Sequence, residues 1–98
     1  MLRHILLLKP KPETTPEAID ACRVALAGLV GRIPGLLDFH WGVNLAASER
    51  HQGYSYGFSM DFADRPSLDA YGPHPDHVAA AKLVRSHFAP ALVLDFEL

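Results

Sequence analysis

The stretch LLDFHWGVNLAASERHQGYSYGFSMDF, residues 36–62, decides the fold. Its two ends alternate apolar and polar residues, which is the period of a half-buried strand. The apolar faces carry Leu37, Phe39, Trp41 and Val43 on Leu36–Asn44, and Tyr54, Tyr56, Phe58, Met60 and Phe62 on Tyr54–Phe62. The polar segment Leu45–Gly53 between them predicts a loop, so the two strands are expected to form an antiparallel hairpin.

Before the hairpin, the sequence predicts one strand and one helix. The run Leu2–Lys9 is short and almost continuously apolar, which is typical of a strand buried on both faces. Thr15 offers a side-chain oxygen as an N-cap, Pro16 suits the first helical position, and Glu17 favours the positive end of the helix. The apolar stripe of this helix, which we expect to end at Pro34-Gly35, consists of Ile19, Cys22, Leu26, Leu29, Val30 and Ile33.

After the hairpin, the sequence predicts two helices and a last strand. Asp64 caps a short helix that ends at Tyr71, where Gly72-Pro73 follows. His74 acts as the next cap and Pro75 occupies the first helical position. The apolar positions of this second helix, which stops before Pro90, are Val78, Ala81, Val84 and Phe88. The last strand, Ala91–Leu98, places Leu92, Leu94, Phe96 and Leu98 on one face.

The order of elements is therefore strand, helix, two strands, two helices and strand. This is the order of the ferredoxin-like split βαβ arrangement, an α+β fold in which helices cover one face of a four-stranded antiparallel sheet. A chain of 98 residues is the size of one domain, so residues 1–98 are expected to form a single unit.

Composition and charge exclude several classes of protein. The formal net charge is -2 and no basic run is present, which argues against binding to nucleic acid or to an anionic membrane. The apolar opening stretch is far shorter than a membrane span and no small-residue cleavage site follows it. The single cysteine, Cys22, lies on the apolar helix stripe, where it is expected to be buried, and suits a reducing cytoplasm.

The first and last strands along the chain are apolar on both faces. Ile5–Leu8 and Leu92–Leu94 contain no polar residue, although helices cover only one face of such a sheet. The uncovered face would expose an apolar patch of a size that monomers rarely carry. We therefore expect a homodimer in which two sheets pack face to face. The alternative is a monomer whose loop Leu45–Gly53 folds over that face.

Several short motifs resemble those of the stress-responsive dimeric A/B barrel (Dabb) family. They follow one another in the family's order along the whole chain: Ile33-Pro34-Gly35, His40-Trp41-Gly42-Val43-Asn44, Phe62-Ala63-Asp64, Tyr71-Gly72-Pro73-His74-Pro75-Asp76-His77-Val78 and Leu94-Asp95-Phe96. The resemblance implies a ferredoxin-like subunit and a homodimer, but no particular activity. One branch that the chain resembles, the olivetolic acid cyclase of plants, closes a polyketide ring by an aldol step without a cofactor. Its Tyr and two His match Tyr71, His77 and His4, whereas Tyr56 stands in place of a further His.

Tyr71 and His77 have the chemistry for a proton transfer next to a carbonyl group. His77 falls in the first turn of its helix, where the helix dipole favours a neutral ring that accepts a proton. The Tyr71 hydroxyl could protonate or orient a developing enolate oxygen. The alternative is that His77 only packs and hydrogen-bonds, that His74 only caps its helix, and that His4 is a core residue.

A metal site is not expected, although His74 and His77 are three residues apart. Zinc sites normally need three or four protein ligands, and only Asp76 or His87 could be guessed as the others.

Three hypotheses for the function remain at this point. The first is a small enzyme or binding protein for a carbonyl or aromatic compound, the second a structural or stress protein without chemistry, and the third an oxygenase of the same dimeric ferredoxin-like type.

Overall fold

The computed structural model describes all residues from Met1 to Leu98. The elements are β1 (Leu2–Leu8), α1 (Pro16–Ala27), β2 (Leu36–Val43), α2 (Ser48–His51), β3 (Tyr56–Phe62), α3 (Arg65–Tyr71), α4 (Pro75–His87) and β4 (Leu92–Glu97). The four strands form one antiparallel sheet in the order β2-β3-β1-β4. This confirms the ferredoxin-like fold and the hairpin of β2 and β3. Among the helices, none has both the length and the apolar character needed to cross a bilayer.

Side-chain caps start the three longer helices at the predicted positions. Thr15 accepts a hydrogen bond from the Ala18 amide at 3.2 Å, Asp64 from the Ser67 amide at 2.9 Å, and His74 Nδ1 from the Asp76 amide at 3.1 Å. A proline follows within the first two helical positions each time. Because each cap satisfies an amide that lacks a partner within its helix, the sequence positions of the caps determine where the helices begin.

Helix α1 is shorter than predicted. It ends at Ala27, whereas the apolar stripe suggested a helix reaching Ile33. The chain then turns through Gly31 and Gly35, whose φ angles are +88° and +82°, in the region that favours glycine. Leu29 and Ile33 are nevertheless buried, because the turn folds them back onto the core.

Strand β2 contains a bulge that changes the predicted face of its first residues. Leu36 pairs with Phe62 and Asp38 with Asp61, so Leu37 is an extra residue without a partner. Leu36 is consequently buried, and Leu37, which was predicted to face the core, is exposed.

Four smaller predictions about exposure and boundaries were also wrong. The segment between β2 and β3 is not wholly irregular, because it contains the single turn α2, and β3 begins at Tyr56 rather than Tyr54. Val43 is exposed at the end of an edge strand. On α4, Val78 is exposed and Ala80 is buried, whereas Val84 and Phe88 pack against the core as expected.

The two faces of the sheet have different surroundings. The face that carries Phe58, Met60 and Phe62 packs against the helices and forms the core. The opposite face carries Leu7, Leu92, Leu94 and Phe96, which are all exposed in the single chain. The segment 45–53 does not cover them. The predicted apolar open face is therefore present.

Candidate functional site

A cavity of about 260 Å³ lies between the sheet and helix α4. Its walls come from β1, β3, α4 and residues 89–91, and most of the lining side chains are apolar. The polar side chains on the wall are His4, Tyr71, His77 and Arg85. The volume is just below the lower end of the range for small-molecule sites, ~300 Å³. The cavity therefore suits a ligand of one or two rings.

A second depression, of about 470 Å³, lies between α1 and α4. It is larger, but it is a groove open to solvent, lined mainly by small and aliphatic side chains. Its only charged side chains are Arg32 and Asp76, and it contains no histidine or tyrosine. The smaller cavity is the candidate site because it combines apolar walls with groups able to exchange protons at neutral pH.

His77 is held at the start of α4 by a bond to the preceding turn. Its Nδ1 lies 2.8 Å from the carbonyl oxygen of Gly72. Because a carbonyl oxygen only accepts, Nδ1 carries the proton, and in the neutral ring Nε2 has a free lone pair. His77 is half-buried, and its ring centroid lies 4.0 Å from that of Tyr71. The ring is thus fixed in one tautomer beside a phenol.

Tyr71 is the last residue of α3 and is only 4% exposed. Burial raises the pKa of its phenol well above the usual value, so the hydroxyl remains a hydrogen-bond donor over the neutral range. The Tyr71 hydroxyl makes no hydrogen bond within the chain. Every side-chain oxygen or nitrogen that is fully buried in this protein has a hydrogen-bond partner. The Tyr71 hydroxyl must therefore lie in the small part of the residue that stays accessible.

His4 lies on β1 and is paired with a carboxylate of the neighbouring strand. Its Nδ1 is 2.5 Å from Oδ1 of Asp95, which stands opposite His4 in the β1–β4 register. Since a carboxylate accepts the Nδ1 proton, Nε2 is again the free nitrogen of the neutral ring. The His4 ring packs edge-on against Phe58 and Phe62, and its centroid is 6.0 Å from that of Tyr71.

The structure brings together the three residues singled out in the sequence. His4, Tyr71 and His77 come from β1, α3 and α4, and all line one cavity. His4 therefore faces the helices. The sequence alone did not determine which face of the sheet carries the His4 side chain. Asp95 and Arg85 were not singled out. Asp95 could be found only from the pairing of β1 with β4, and Arg85 only from the cavity wall.

Other residues considered in the sequence lie outside this site. Tyr56 packs against Trp41 and Phe88, with ring centroids 5.9 and 6.5 Å away, and Tyr54 lies beneath the Lys9 ammonium. The chain brings no three metal-ligating side chains together, and Nδ1 of His74 is already used as the helix cap.

Comparison with known proteins relates the whole chain to one protein family. The family model for the stress-responsive A/B barrel domain matches residues 2–98. A stress-response A/B barrel domain-containing protein of Arabidopsis thaliana, HS1, is 31% identical over 98% of this chain and 88% of its own length. The olivetolic acid cyclase of Cannabis sativa is 26% identical over 97% of this chain and 94% of its own.

Solved structures show the same architecture. A dimeric ferredoxin-like protein of unknown function from Jannaschia sp. CCS1 superposes with a TM-score of 0.86 at 33% identity, over 99% of this chain and 98% of its own. SnoaB, a cofactor-independent oxygenase of Streptomyces nogalater, superposes with a TM-score of 0.80 over 99% of this chain and 91% of its own, but at 12% identity it shares only the fold. From the family match over nearly its whole length and its kinship to HS1, the chain belongs to the stress-responsive A/B barrel domain family.

Proposed function

We propose that this protein binds a small carbonyl compound in the cavity between the sheet and α4 and transfers a proton at the carbon next to the carbonyl group. One observation carries the proposal. Three polar atoms without a hydrogen-bond partner in the chain belong to side chains that line one apolar cavity: Nε2 of His4, Nε2 of His77 and the Tyr71 hydroxyl.

Each of the three residues has a role that follows from its surroundings. Nε2 of His77 takes the proton from carbon, because Nδ1 is held by the Gly72 carbonyl. Tyr71 donates a hydrogen bond to the developing enolate oxygen, since burial keeps its phenol protonated. Asp95 orients His4, whose Nε2 holds or returns a proton on the other side of the ligand. The apolar walls place the reacting atoms in a surrounding of low polarity.

The likeness to olivetolic acid cyclase supports this chemistry, since that protein's name denotes an enzyme that forms a ring. Ring closure by an aldol step begins with removal of a proton next to a carbonyl group. The identity of 26% supports the class of reaction and does not define the substrate.

The protein is further proposed to act as a homodimer through the open face of the sheet. The leucines of β4 on this face, Leu92 and Leu94, are 51% and 56% exposed in the single chain. A second copy that covers this face would remove the apolar patch from water. The dimeric state of the similar Jannaschia protein supports this arrangement.

A second candidate function is a structural role without catalysis. The bond from His77 to the Gly72 carbonyl joins the end of α3 to the start of α4, so it could serve only to hold this turn. The stress-response name of the Arabidopsis relative fits that alternative. The cavity favours the binding function, because a turn-stabilising histidine does not require an open apolar volume beside it.

The test starts with a thermal-shift screen of small ketones and aromatic carbonyl compounds, because ligands of the native state raise the melting temperature. Compounds that bind are then incubated with the protein in D2O, and exchange of the hydrogens next to the carbonyl is followed by NMR. We expect His77→Gln to slow this exchange about 10²–10⁴-fold. The melting temperature should change little, because the glutamine amide can still donate to Gly72.

The control is His87→Gln on the same helix, since His87 does not line the cavity. It should leave the exchange rate unchanged. If His77→Gln lowers the melting temperature while exchange and affinity stay as in the wild type, His77 is structural and the catalytic proposal is wrong.

A further inference from the structure

Arg85 places a cationic side chain on the wall of the cavity. Its guanidinium makes no hydrogen bond and no salt bridge within the chain. It is also not needed to satisfy the carbonyl groups at the end of α4. Lys11 Nζ donates to the Arg85 carbonyl at 2.9 Å, and the Thr14 hydroxyl donates to the His87 carbonyl at 2.7 Å. The structure therefore gives the Arg85 side chain no role within the fold.

The position of Arg85 on α4 relates it to the candidate base. His77, Ala81 and Arg85 follow one another at intervals of four residues, and all three line the cavity. Two such intervals correspond to a rise of about 12 Å along the helix axis. Helical side chains lean toward the N-terminus, so the geometry of the helix directs Arg85 toward Ala81 and His77, with which it shares the cavity wall. The small side chain of Ala81 leaves the space between them open.

No other lining residue would bind an anion at that end of the cavity. The lining contains no aspartate or glutamate, and its histidines are His4 and His77. Arg85 is thus the only lining side chain that is charged at every physiological pH. A planar guanidinium matches the two oxygens of a carboxylate through paired hydrogen bonds.

We propose that the ligand of this cavity is a small apolar molecule with a carboxylate at one end, which Arg85 binds, and with its reactive carbonyl at the other end, beside His77 and Tyr71. This inference rests on the proposed function only where it places the reactive carbonyl beside His77 and Tyr71. The binding of the carboxylate by Arg85 can be measured without any turnover.

The experiment compares 2-naphthoate with 2-naphthamide, which have the same rings and nearly the same shape but differ by one negative charge at pH 7.5. Isothermal titration calorimetry measures the affinity of each for the wild-type protein. Because Arg85 is exposed, we expect naphthoate to bind only about tenfold more tightly, which is the lower end of the range for a charge-assisted hydrogen bond. The preference should shrink as the salt concentration rises.

Variants assign the preference to Arg85. In Arg85→Gln the two compounds should bind equally, whereas Arg85→Lys should keep part of the preference because the charge remains. Lys82→Gln is the matched control: it removes the same charge from an exposed position of the same helix that does not line the cavity. It should keep the full preference. Circular dichroism checks that each variant is folded.

The possible results separate the two proposals. Equal affinities in the wild type, or a preference that persists in Arg85→Gln, would overturn the inference about Arg85 while the cavity remains a binding site. If neither compound binds at millimolar concentration, the inference about Arg85 is wrong, whereas the proposed function is decided by the screen of carbonyl compounds. The inference is supported if Arg85→Gln loses the preference for naphthoate and Lys82→Gln keeps it.

Discussion

Nδ1 of His4 lies 2.5 Å from Oδ1 of Asp95, across the β1–β4 pair. The two residues are 91 positions apart in the chain and meet because antiparallel pairing places them opposite each other. The carboxylate holds the ring in the tautomer with a proton on Nδ1, as an orienting residue does beside a general base. Asp95 therefore fixes the orientation of the His4 ring, and in the proposed function it is a positioning residue.

Replacing Asp95 by asparagine should release the His4 ring. We expect the Nδ1–H signal of His4 in NMR spectra to lose its protection from exchange, and exchange of carbonyl-adjacent hydrogens to slow about 10- to 100-fold, as for other orienting partners. The control is Asp38→Asn, because Asp38 forms a similar pair with His40 at 2.9 Å on an exposed strand. An unchanged His4 signal in Asp95→Asn would contradict the assigned role.

A charge on the open face of the sheet should separate the proposed dimer. Leu94 is exposed on this face, so Leu94→Asp would put a carboxylate into the contact between two copies. Sedimentation equilibrium at micromolar concentration should show about twice the 10.8 kDa chain mass for the wild type, and the monomer mass for the variant. Leu45→Asp, at a 95% exposed loop position, should remain dimeric. A wild-type monomer would refute the dimer.

Gly35 should tolerate no side chain, because two constraints act on it together. Its φ is +82°, and an added Cβ would lie 2.2 Å from the Ser67 hydroxyl oxygen. We expect Gly35→Ala to lower the free energy of unfolding by about 2 kcal/mol or more in urea titrations. Gly31→Ala has a similar φ of +88° but meets nothing within 4 Å, so it should cost clearly less. If both variants lost the same free energy of unfolding, the contact with Ser67 would be unimportant.

The pair of Arg3 and Asp61 should make stability depend on pH in the acid range. Hydrogen bonds of 2.8 and 3.1 Å from Arg3 lower the pKa of the Asp61 carboxyl below its usual value. As the pH falls, the Asp61 carboxyl is therefore protonated at a higher pH in the unfolded chain than in the folded protein. The stabilisation is complete above the ordinary pKa of about 3.9 and is lost as the pH falls through the lower folded value.

Urea titrations from pH 7 to pH 2, at one protein concentration, test this dependence. Asp61→Asn should be less stable than the wild type at pH 7, and the difference should shrink below about pH 4. Asp69→Asn provides the control, because the Asp69 pair with Arg65 is exposed and should contribute little. A constant difference between Asp61→Asn and wild type across this range would exclude the ion pair as its cause.

Cys22 should be unreactive in the folded protein. The residue is fully buried, as its place on the apolar stripe of α1 predicted, and burial raises the pKa of its thiol. Both effects keep the reactive thiolate scarce. A thiol reagent should label Cys22 slowly in native buffer and completely in denaturing urea. Rapid labelling in native buffer would mean that α1 opens readily.

The starts of the helices could be predicted because capping is local chemistry. Thr15, Asp64 and His74 each bond to an amide only two or three residues away. The end of α1 could not be predicted in the same way. Ile33 has the spacing of a helical stripe and is buried, but a turn returns it to the core. Burial at helical spacing is therefore weaker evidence for a helix than a cap is.

The candidate site could be predicted in part, because some of its residues are neighbours in the sequence. Tyr71 and His77 are six residues apart, so their proximity is a local property of one turn. His4 was suggested by the family resemblance, and its orientation toward the cavity depends on the register of β1. Asp95 and Arg85 become visible only when the strand order and the cavity wall are known.

The alternation along β1 also affects how this protein can change over evolution. His4 and Leu6 face the cavity, and Ile5 and Leu7 face the opposite side of the sheet. Substitutions on α4 can therefore alter ligand preference without disturbing the other face. In β1, substitutions of His4 or Leu6 alter the cavity and substitutions of Ile5 or Leu7 alter the open face, so one of the two faces constrains each of these positions. Descendants of this scaffold should diversify through α4 and keep β1 nearly unaltered.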